Sequence, residues 1–267
     1  MTTSTEVLYL SHGGGPMPLL GDPGHQEMVQ RLKEVAGRLR RPSAILVISA
    51  HWEAQVPTIT ASANPPLIYD YSGFPPAAYD IDYPCPGEPH LAHQVHRALG
   101  EAGIDSQLDD QRGFDHGVFV PLKLMFPKAA IPCVELSLAN TLDAEAHLAI
   151  GNALQALGYD NLLVIGSGFS FHNMRAFFAS GDREADLRNE HFQAWLEETC
   201  SDRSIPESER WQRLSHWEKA PHARFCHPRE EHLLPLHVCY GLAGRASNAS
   251  LPVTILGKES RIFLWQG

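Results

Sequence analysis

Four histidines each stand in a short loop directly after an apolar run, and a fifth opens a late helical stretch. The first four are His12, His51, His116 and His172, and the fifth is His232. His12, His51 and His172 end runs that read as buried parallel strands. Ligands of open α/β sheets bind beyond the carboxyl ends of the strands, so we expect these imidazoles to converge on one crevice. Neutral imidazole is the commonest protein metal ligand and a proton acceptor near neutral pH. The sequence therefore predicts a metal site.

The neighbouring residues argue against several other kinds of site. His12 is followed by Gly-Gly-Gly-Pro, but the chain has neither GxGxxG nor GxxxxGK[ST], so a nucleotide loop is not indicated. The GSGFSFHN segment around His172 is not the GxSxG turn of a serine hydrolase. Near the C-terminus, histidines recur every five residues, which does not place two imidazoles on one helical face. No HExxH pair results, so a zincin protease is not expected.

Some of these positions also allow a purely structural interpretation. His51 could cap the end of a strand, and Asp115 beside His116 is not a dyad, because adjacent side chains rarely face each other. Glu230 and Glu231 stand next to His232 at the expected first turn of the late helix. All three of these late residues are therefore ligand candidates.

Apolar runs and helical patterns alternate along the chain, which predicts crossover connections and a mainly parallel sheet with helices on both faces. Strands are expected at 6–10, 43–49, 58–61, 131–138, 161–166, 253–256 and 262–265. Helices are expected at 24–39, 88–102, 144–157, 183–199 and 230–243. Seven prolines predict a long ordered loop over 64–89, which could form a wall of the crevice. The charged segment 200–225 is expected at the surface, and the last two strands should form an antiparallel hairpin.

We interpret residues 1–267 as one α/β domain with a mixed sheet and its site at the carboxyl ends of the strands. The net charge of -10 comes from 21 basic and 31 acidic residues without a cationic stripe, which argues against nucleic acid as a partner. No secretory signal or apolar run of about 18 residues is visible, so no membrane partner and a cytoplasmic location are expected. Five cysteines without a CxxC pair do not suggest disulfides or a structural zinc site. A monomer or a small homo-oligomer is expected.

Six segments in register resemble the DOPA-dioxygenase branch of the type III extradiol ring-opening dioxygenases. They are, in order, SHGGGP, SAHW, YDYSGFPPAAYDIDYPCPG, GFDHG, SGFSFHN and PREEHLLPL. The resemblance covers nearly the whole chain. It implies that His12, His51 and His232 are metal ligands. It also implies that His172 stands beside the metal, as an acid/base or as an additional ligand, and that His116 contacts the substrate.

Trp52 and Tyr71, from the second and third of these segments, are interpreted as substrate-binding residues. Better-known enzymes of the wider class hold iron(II) with two histidines and one carboxylate. Here the third position matches His232, although Glu230 and Glu231 are close by. Three neutral imidazoles would leave the site with a charge of +2, which favours a catecholate dianion and also suits zinc. The plant members' substrate-recognition segment is not found after His172, where the chain reads NMRAFFASGDREAD.

The resemblance predicts a metal-dependent extradiol dioxygenase that uses O2 to open a catechol-type, DOPA-like aromatic ring. Iron(II) is the expected catalytic metal, with zinc as the alternative. Two other hypotheses remain open at this point. One is a non-enzymatic protein on the same fold that binds a metal, a small molecule or a peptide. The other is a zinc hydrolase, in which the metal lowers the pKa of a bound water to about 7.

Overall fold

In the computed structural model, residues 5–178 and 181–267 are described, and strands alternate with helices throughout these ranges. The strands are β1 Glu6–Ser11, β2 Ala44–Ala54, β3 Thr58–Thr60, β4 Gln107–Asp109, β5 Cys133–Ala139, β6 Leu162–Gly168, β7 Ala249–Ile255 and β8 Lys258–Trp265. The helices are α1 Gln26–Arg38, α2 Pro89–Glu101, α3 His116–Met125, α4 Ala144–Ala153, α5 Met174–Phe178, α6 Arg183–Ser201, α7 Glu207–Ser215, α8 Ala223–Cys226 and α9 Leu234–Ala243. No helix of these two ranges combines the length and the apolar character needed to cross a bilayer.

Within the described ranges the strands form one sheet in the order β4-β3-β5-β2-β6-β1-β8-β7. The central strands β5, β2, β6 and β1 are mutually parallel, whereas β3 and β8 pair antiparallel with β5 and β1. The hairpin β7–β8 forms one edge, as predicted. A single α/β domain with a mostly parallel mixed sheet is thereby confirmed. The order β2-β6-β1 puts the carboxyl ends of three adjacent strands side by side, which is the arrangement that the crevice requires.

Helices bury both faces of the sheet, because side chains alternate between its faces along each strand. In β1, Val7 and Tyr9 belong to the core cluster on one face, whereas Leu8 and Leu10 belong to the cluster on the other. The first cluster includes side chains of α2, α4, α6, α7 and α9, and the second includes side chains of α1 and α3. The strands therefore carry apolar residues at nearly every position, which is the continuous pattern that the sequence shows.

Helices α3, α5, α7 and α8 and strand β4 were not predicted from the sequence. The apolar stretch of α3 contains Pro121 and is buried on nearly every side, which removes the amphipathic pattern. Strand β4 has only three residues. The segment 200–225 is mostly exposed, as predicted, but it also contributes buried side chains: Trp217 is 2% exposed, and the fully buried Arg210 guanidinium donates to the backbone oxygens of Asp202 and Ile205. A charged side chain in a segment that the sequence predicts to be exposed can thus be buried and donate hydrogen bonds to buried carbonyl groups.

Two boundaries differ from the prediction in ways that matter for the site. Helix α9 begins at Leu234, with Pro235 in its first turn, so Glu230, Glu231 and His232 lie in the preceding turn. Proline suits this start because the first-turn N–H groups have no partner within the helix. Strand β2 continues to Ala54, past the predicted end. The loop that the prolines predicted runs from the end of β3 to Pro89, where α2 begins, and its only helical turn is Pro76–Ala78.

Helices α4 and α9 approach so closely that glycine is needed on both. A Cβ on Gly151 would lie 2.1 Å from the Val238 carbonyl oxygen, and one on Gly241 would lie 2.2 Å from the Leu148 carbonyl oxygen. Both positions face backbone atoms, which cannot rotate out of the way. Helix α9, which packs against β6 and β1, therefore has its backbone in direct contact with the backbone of α4.

We predict that Gly151→Ala lowers the free energy of unfolding by about 1–3 kcal/mol, the usual cost of overpacking a core. The matched control is Gly37→Ala in α1, where an added Cβ meets nothing within 4 Å. Alanine stabilises a helix interior by roughly 0.5–1 kcal/mol relative to glycine, so the control should gain stability. Urea unfolding followed by circular dichroism measures both changes. Equal stabilities of the two variants would contradict the close helix contact.

Candidate metal centre

Three neighbouring strands bring their histidines to one edge of the sheet. His12 follows β1 directly, and its backbone N–H donates to the Gly168 carbonyl of β6 at 3.0 Å. His51 lies inside the extended β2, where the pairing with β5 is irregular between Ile48 and Glu53. Such a bulge re-aims side chains at the end of a strand. His172 follows β6, and its N–H donates to the Cys226 carbonyl at 2.9 Å.

His232 reaches the same place from the other side of the chain. Its carbonyl oxygen accepts hydrogen bonds from the Phe169 N–H at 2.9 Å and from the Tyr9 hydroxyl at 3.1 Å. A Cβ on Gly168 would lie 2.1 Å from this oxygen, so the turn before α9 packs directly on the backbone of β6. Glycine at position 168 is therefore a condition for placing His232.

The rings of His12, His51 and His232 form a compact triangle. Their centroids are 4.8 Å apart for His12 and His51, 5.4 Å for His12 and His232, and 4.9 Å for His51 and His232. The Nε2 atoms of His12 and His51 are only 2.9 Å apart. Two nitrogen lone pairs at that distance need a proton or a metal cation between them.

Two of the three rings, those of His12 and His232, have a hydrogen-bond partner at Nδ1 that orients them. His12 Nδ1 lies 3.0 Å from the Ser167 hydroxyl, and His232 Nδ1 lies 3.0 Å from Glu231 Oε1. His51 Nδ1 lies 3.7 Å from an Asp70 oxygen. Metal-ligating histidines almost always donate their other ring N–H in this way, which fixes the tautomer. The Nε2 atoms of His12 and His232 are thereby left available to bind a metal ion, and the Nε2 atom of His51 lies beside that of His12.

Burial keeps these imidazoles neutral. Desolvation and the neighbouring histidines lower the pKa values of His12 and His232 well below the ordinary histidine value. The pKa of His51 is lowered to about 4, chiefly by burial and then by His116, against the opposing effect of Asp115 and Asp70. A neutral ring offers the lone pair that a metal ion needs. Three buried neutral donors in a triangle therefore fit a divalent metal ion well.

His172 and Glu231 form the second part of the site. The His172 ring stacks on the His232 ring with centroids 3.5 Å apart, and its Nδ1 lies 3.3 Å from Glu231 Oε1. Burial raises the pKa of Glu231, but hydrogen bonds from His172 and His232 outweigh this effect and hold the pKa well below its usual range. Arg229 binds both carboxylate oxygens of Glu53 at 2.6 Å and lies 3.4 Å from Glu231. An ionised carboxylate thus holds both imidazoles.

The remaining predicted residues fall at different places. Ligand atoms that all lie within 4.8 Å of one another form two groups: His116 lies with His12 and His51, and His232 lies with His172 and Glu231. The Tyr71 ring lies 5.8 Å from the His116 ring, within an aromatic cluster of the Pro-rich loop. Trp52 is 7% exposed, and the Arg112 guanidinium covers its ring at 4.3 Å from the centroid.

The carboxylates beside His232 also differ in their surroundings. Glu230 accepts a hydrogen bond at 2.7 Å from Arg224, whereas Glu231 orients the rings of His172 and His232. Glu230 is therefore already paired with an arginine.

Sequence reasoning missed two residues of the site. Asp70 Oδ1 accepts from the backbone N–H of His116 at 3.0 Å and lies 2.8 Å from its Nδ1. Ser167 fixes His12 through its hydroxyl. Both could have been sought with one rule, namely that a metal-site histidine needs an acceptor for its second ring nitrogen. The sequence does not show which of the many aspartates and serines fills that role, because the partners come from distant segments.

A cleft of about 480 Å³ opens beside His172 and is lined by residues of the turn after β6 and of the turn before α9. The lining residues are His172, Asn173, Met174, Arg175, Pro228, Arg229 and Glu231. It gives an organic molecule access to the edge of the histidine cluster.

Residues 7–259 match the family described as the catalytic LigB subunit of aromatic ring-opening dioxygenase. The chain belongs to this family, and it is an extradiol ring-cleaving dioxygenase that depends on a metal ion. It is 43% identical over 251 residues to dioxygenase tasH of Hapsidospora irregularis, covering 89% of this chain and 78% of that protein. It is 36% identical over 247 residues to a 4,5-DOPA dioxygenase extradiol of Beta vulgaris, covering 92% and 90%.

A crystal structure of an uncharacterized Escherichia coli K12 protein superposes with a TM-score of 0.73 at 27% identity. The superposition covers 99% of this chain and 100% of that one. The family expected from the six segments is thus confirmed. Membership of this family favours the dioxygenase hypothesis over the two alternatives, a non-enzymatic binding protein and a zinc hydrolase.

The neutral histidines predict acid lability of the metal-free protein. Between the ordinary histidine pKa of about 6.5 and about 4, the unfolded chain binds a proton at His51 and the folded protein does not. Stability should therefore fall as the pH is lowered through that window. His51→Gln should reduce this loss, measured by urea unfolding of the chelator-treated protein between pH 7.5 and 5. His93→Gln, on the exposed side of α2, is the control and should behave like the wild type.

Proposed function

We propose that His12, His51 and His232 hold an iron(II) ion and that residues 1–267 act as one catalytic unit on a catechol-type substrate. The triangle of their neutral rings, with Nδ1 partners on the outer side, is the observation that carries this proposal. A bound ferrous ion supplies a redox-active centre at which a catechol and O2 meet. Zinc also accepts three histidines, so zinc found in a purified sample would not identify the catalytic metal.

The charge of the site favours the substrate in its ionised form. The three proposed ligands are neutral, so the charge of a divalent ion is not reduced by its direct protein donors. Such a centre attracts a catecholate more strongly than a site with two histidines and one carboxylate would. Glu231 and Asp70 lie on the outer side of the rings, where they orient the imidazoles.

His172 is proposed as the group that moves the substrate proton. It is partly exposed beside the cleft, and Glu231 holds its Nδ1, so its Nε2 can exchange a proton with a bound substrate. A positioned imidazole is well suited to this role near neutral pH. As an alternative, His172 would be a fourth ligand in the resting site.

His116 and Tyr71 are proposed to contact the aromatic ring of the substrate. Asp70 receives both N–H groups of His116, from the backbone and from Nδ1, and thereby orients this ring toward His51, whose centroid is 3.9 Å away. The Tyr71 hydroxyl donates to the Ala78 carbonyl at 2.6 Å, which fixes the tyrosine within the loop. For Trp52, covered by Arg112, we propose that it supports the strand segment of His51.

The natural substrate is proposed to be a catechol whose substituent reaches the cleft beside His172. Met174 and Arg175 line this cleft, and they belong to the segment that lacks the recognition sequence of the plant enzymes. Several relatives are named 4,5-DOPA dioxygenase extradiol, which makes DOPA the reference substrate for an assay.

We also propose that the protein acts in the cytoplasm as a monomer or small homo-oligomer. Its five cysteines are buried free thiols, which fits a reducing compartment.

The activity is tested by anaerobic reconstitution with iron(II), followed by addition of air-saturated buffer and a panel of catechols. We expect one O2 consumed per catechol and a coloured ring-fission product. Reconstitution with zinc is the control and should give neither. A protein with iron demonstrably bound that consumes no O2 with any catechol would refute the proposed reaction.

Single substitutions separate the ligands from the proton-transfer group. His232→Ala should lower metal occupancy as well as turnover, because three protein ligands fall to two. His172→Ala should keep the metal but slow turnover by about 10²–10⁴-fold and flatten one limb of the pH–rate profile. His116→Ala should also keep the metal. Elemental analysis of the purified variants decides the assignment, and complete metal loss in His172→Ala would make that residue a ligand.

A further inference from the structure

Glu135 is a buried carboxyl group in β5 that the metal centre does not use directly. Its residue is 0% exposed, and neither carboxyl oxygen accepts a hydrogen bond from a donor in the part of the chain that the structure describes. The nearest cation is Arg112, whose Nη2 is 3.8 Å from Oε1, too far for a hydrogen bond. Burying a carboxylate without hydrogen bonds costs several kcal/mol, so this group requires an explanation.

The neighbouring acid, Asp115, has its hydrogen bonds satisfied as a carboxylate. Its Oδ1 accepts from the Ser49 hydroxyl at 2.8 Å and from the Gly117 N–H at 2.9 Å. Its Oδ2 accepts from Arg112 Nη2 at 3.1 Å. The guanidinium that lies near both acids is therefore committed to Asp115.

The residues that pair with Glu135 on the neighbouring strands carry no charge. Val47 of β2 pairs with it in register, and Thr60 of β3 exchanges hydrogen bonds with its backbone. Two acids thus share one cation, Arg112. Burial, and then the negative charge of Asp115, raise the pKa of Glu135 well above its usual value.

We propose that Glu135 is a positioning residue that keeps its proton at neutral pH and donates it in a hydrogen bond to Asp115. The proton makes the group formed by Glu135, Asp115 and Arg112 electrically neutral. It also gives one of the two orphaned oxygens a hydrogen bond, through its O–H, and leaves the other as a neutral carbonyl, whose burial costs less than that of a carboxylate. Asp115 is then held by donors on every side: a hydroxyl, a backbone N–H, a guanidinium and a carboxylic acid.

The hydrogen bonds of Asp115 connect Glu135 to two histidines of the site. The Ser49 hydroxyl that donates to Asp115 also accepts the backbone N–H of His51 at 3.2 Å. The Gly117 N–H that donates to Asp115 begins helix α3 next to His116. One carboxylate thus joins the bulged end of β2 to the first turn of α3, and the proton on Glu135 keeps that carboxylate in place.

The charge state of Glu135 also matters for the imidazoles. If Glu135 were ionised, the three groups would carry one net negative charge behind His51 and His116. A buried negative charge stabilises protonated imidazole, which has no lone pair for a metal ion. The neutral acid avoids this effect and keeps the hydrogen bond to Asp115.

The protonation state is tested by unfolding the purified protein in urea between pH 6 and pH 8. Wild-type folding takes up one proton at Glu135 in this range, because the unfolded side chain is ionised above about pH 4.5. The unfolding constant of the wild type should therefore rise tenfold per pH unit relative to that of Glu135→Gln, whose amide does not titrate. The pH dependence of metal binding affects both proteins alike and cancels in the ratio. Glu27→Gln, at an exposed position of α1, should follow the wild type.

The positioning role is tested with Glu135→Leu, which keeps the volume and removes the donor. This part of the inference rests on the proposed roles of His51 and His116. We expect kcat to fall by about 10–100-fold, as for lost outer-sphere contacts at metal sites, with KM nearly unchanged. Glu135→Gln should restore kcat, because its amide N–H can donate to Asp115.

The unfolding measurement and the kcat measurement test different parts of the proposal. A constant ratio of unfolding constants between pH 6 and 8 would show that Glu135 is ionised and would overturn the proposal, whatever the protein catalyses. Equal loss of kcat in the Gln and Leu variants, or wild-type kcat in both, would overturn the positioning role. A reconstituted protein inert toward catechols would refute the proposed reaction and leave the unfolding test of Glu135 intact.

Discussion

Four of the five imidazoles of the candidate metal centre have a polar partner at Nδ1, and much of the surrounding chain is arranged to supply these partners. Ser167 of β6 serves His12, Asp70 of the Pro-rich loop serves His116, and Glu231 serves both His172 and His232. Without these partners the buried rings could rotate or exchange tautomers, and their Nε2 lone pairs would not point to one place. The positions of the Pro-rich loop, the strand ends and the turn before α9 therefore determine how the imidazole rings are oriented.

The negative charges of the candidate metal centre lie away from the triangle of imidazole rings. Glu231 and Asp70 are ionised but lie on the outer side of the rings, where they orient imidazoles without reducing the charge of a bound cation. Arg229 joins Glu53 of β2 to Glu231, so one guanidinium connects the strand of His51 to the turn of His232. The acidic groups thus orient the imidazoles through hydrogen bonds, while their negative charges stay on the outer side of the rings.

The sequence predicted those parts of the molecule that follow from local pattern. Apolar runs predicted the strands, and the rule for strand ends predicted that His12, His51 and His172 lie at one crevice. Helix α3 escaped prediction because its burial on nearly every side erases the helical period. The partnership of Glu231 with two rings, and of Asp70 with His116, depends on contacts between segments far apart in the sequence, and no local pattern encodes them. The start of the last helix was predicted too early, at residue 230 instead of Leu234. Pro235 can occupy more than one position in a first helical turn, so the sequence pattern did not fix the first residue of the helix.

The three proposed ligands have a consequence for how the protein is made. They lie at positions 12, 51 and 232, so the site is assembled from segments that are far apart in the sequence. A ribosome that has released the first strands has not yet produced the turn that carries His232. With these ligands, all three imidazoles can hold the ion only after the turn before α9 has been synthesised and β1 has joined the sheet. Before that moment only two of the three imidazoles exist together, and a nascent chain cannot retain the ion through all of its ligands.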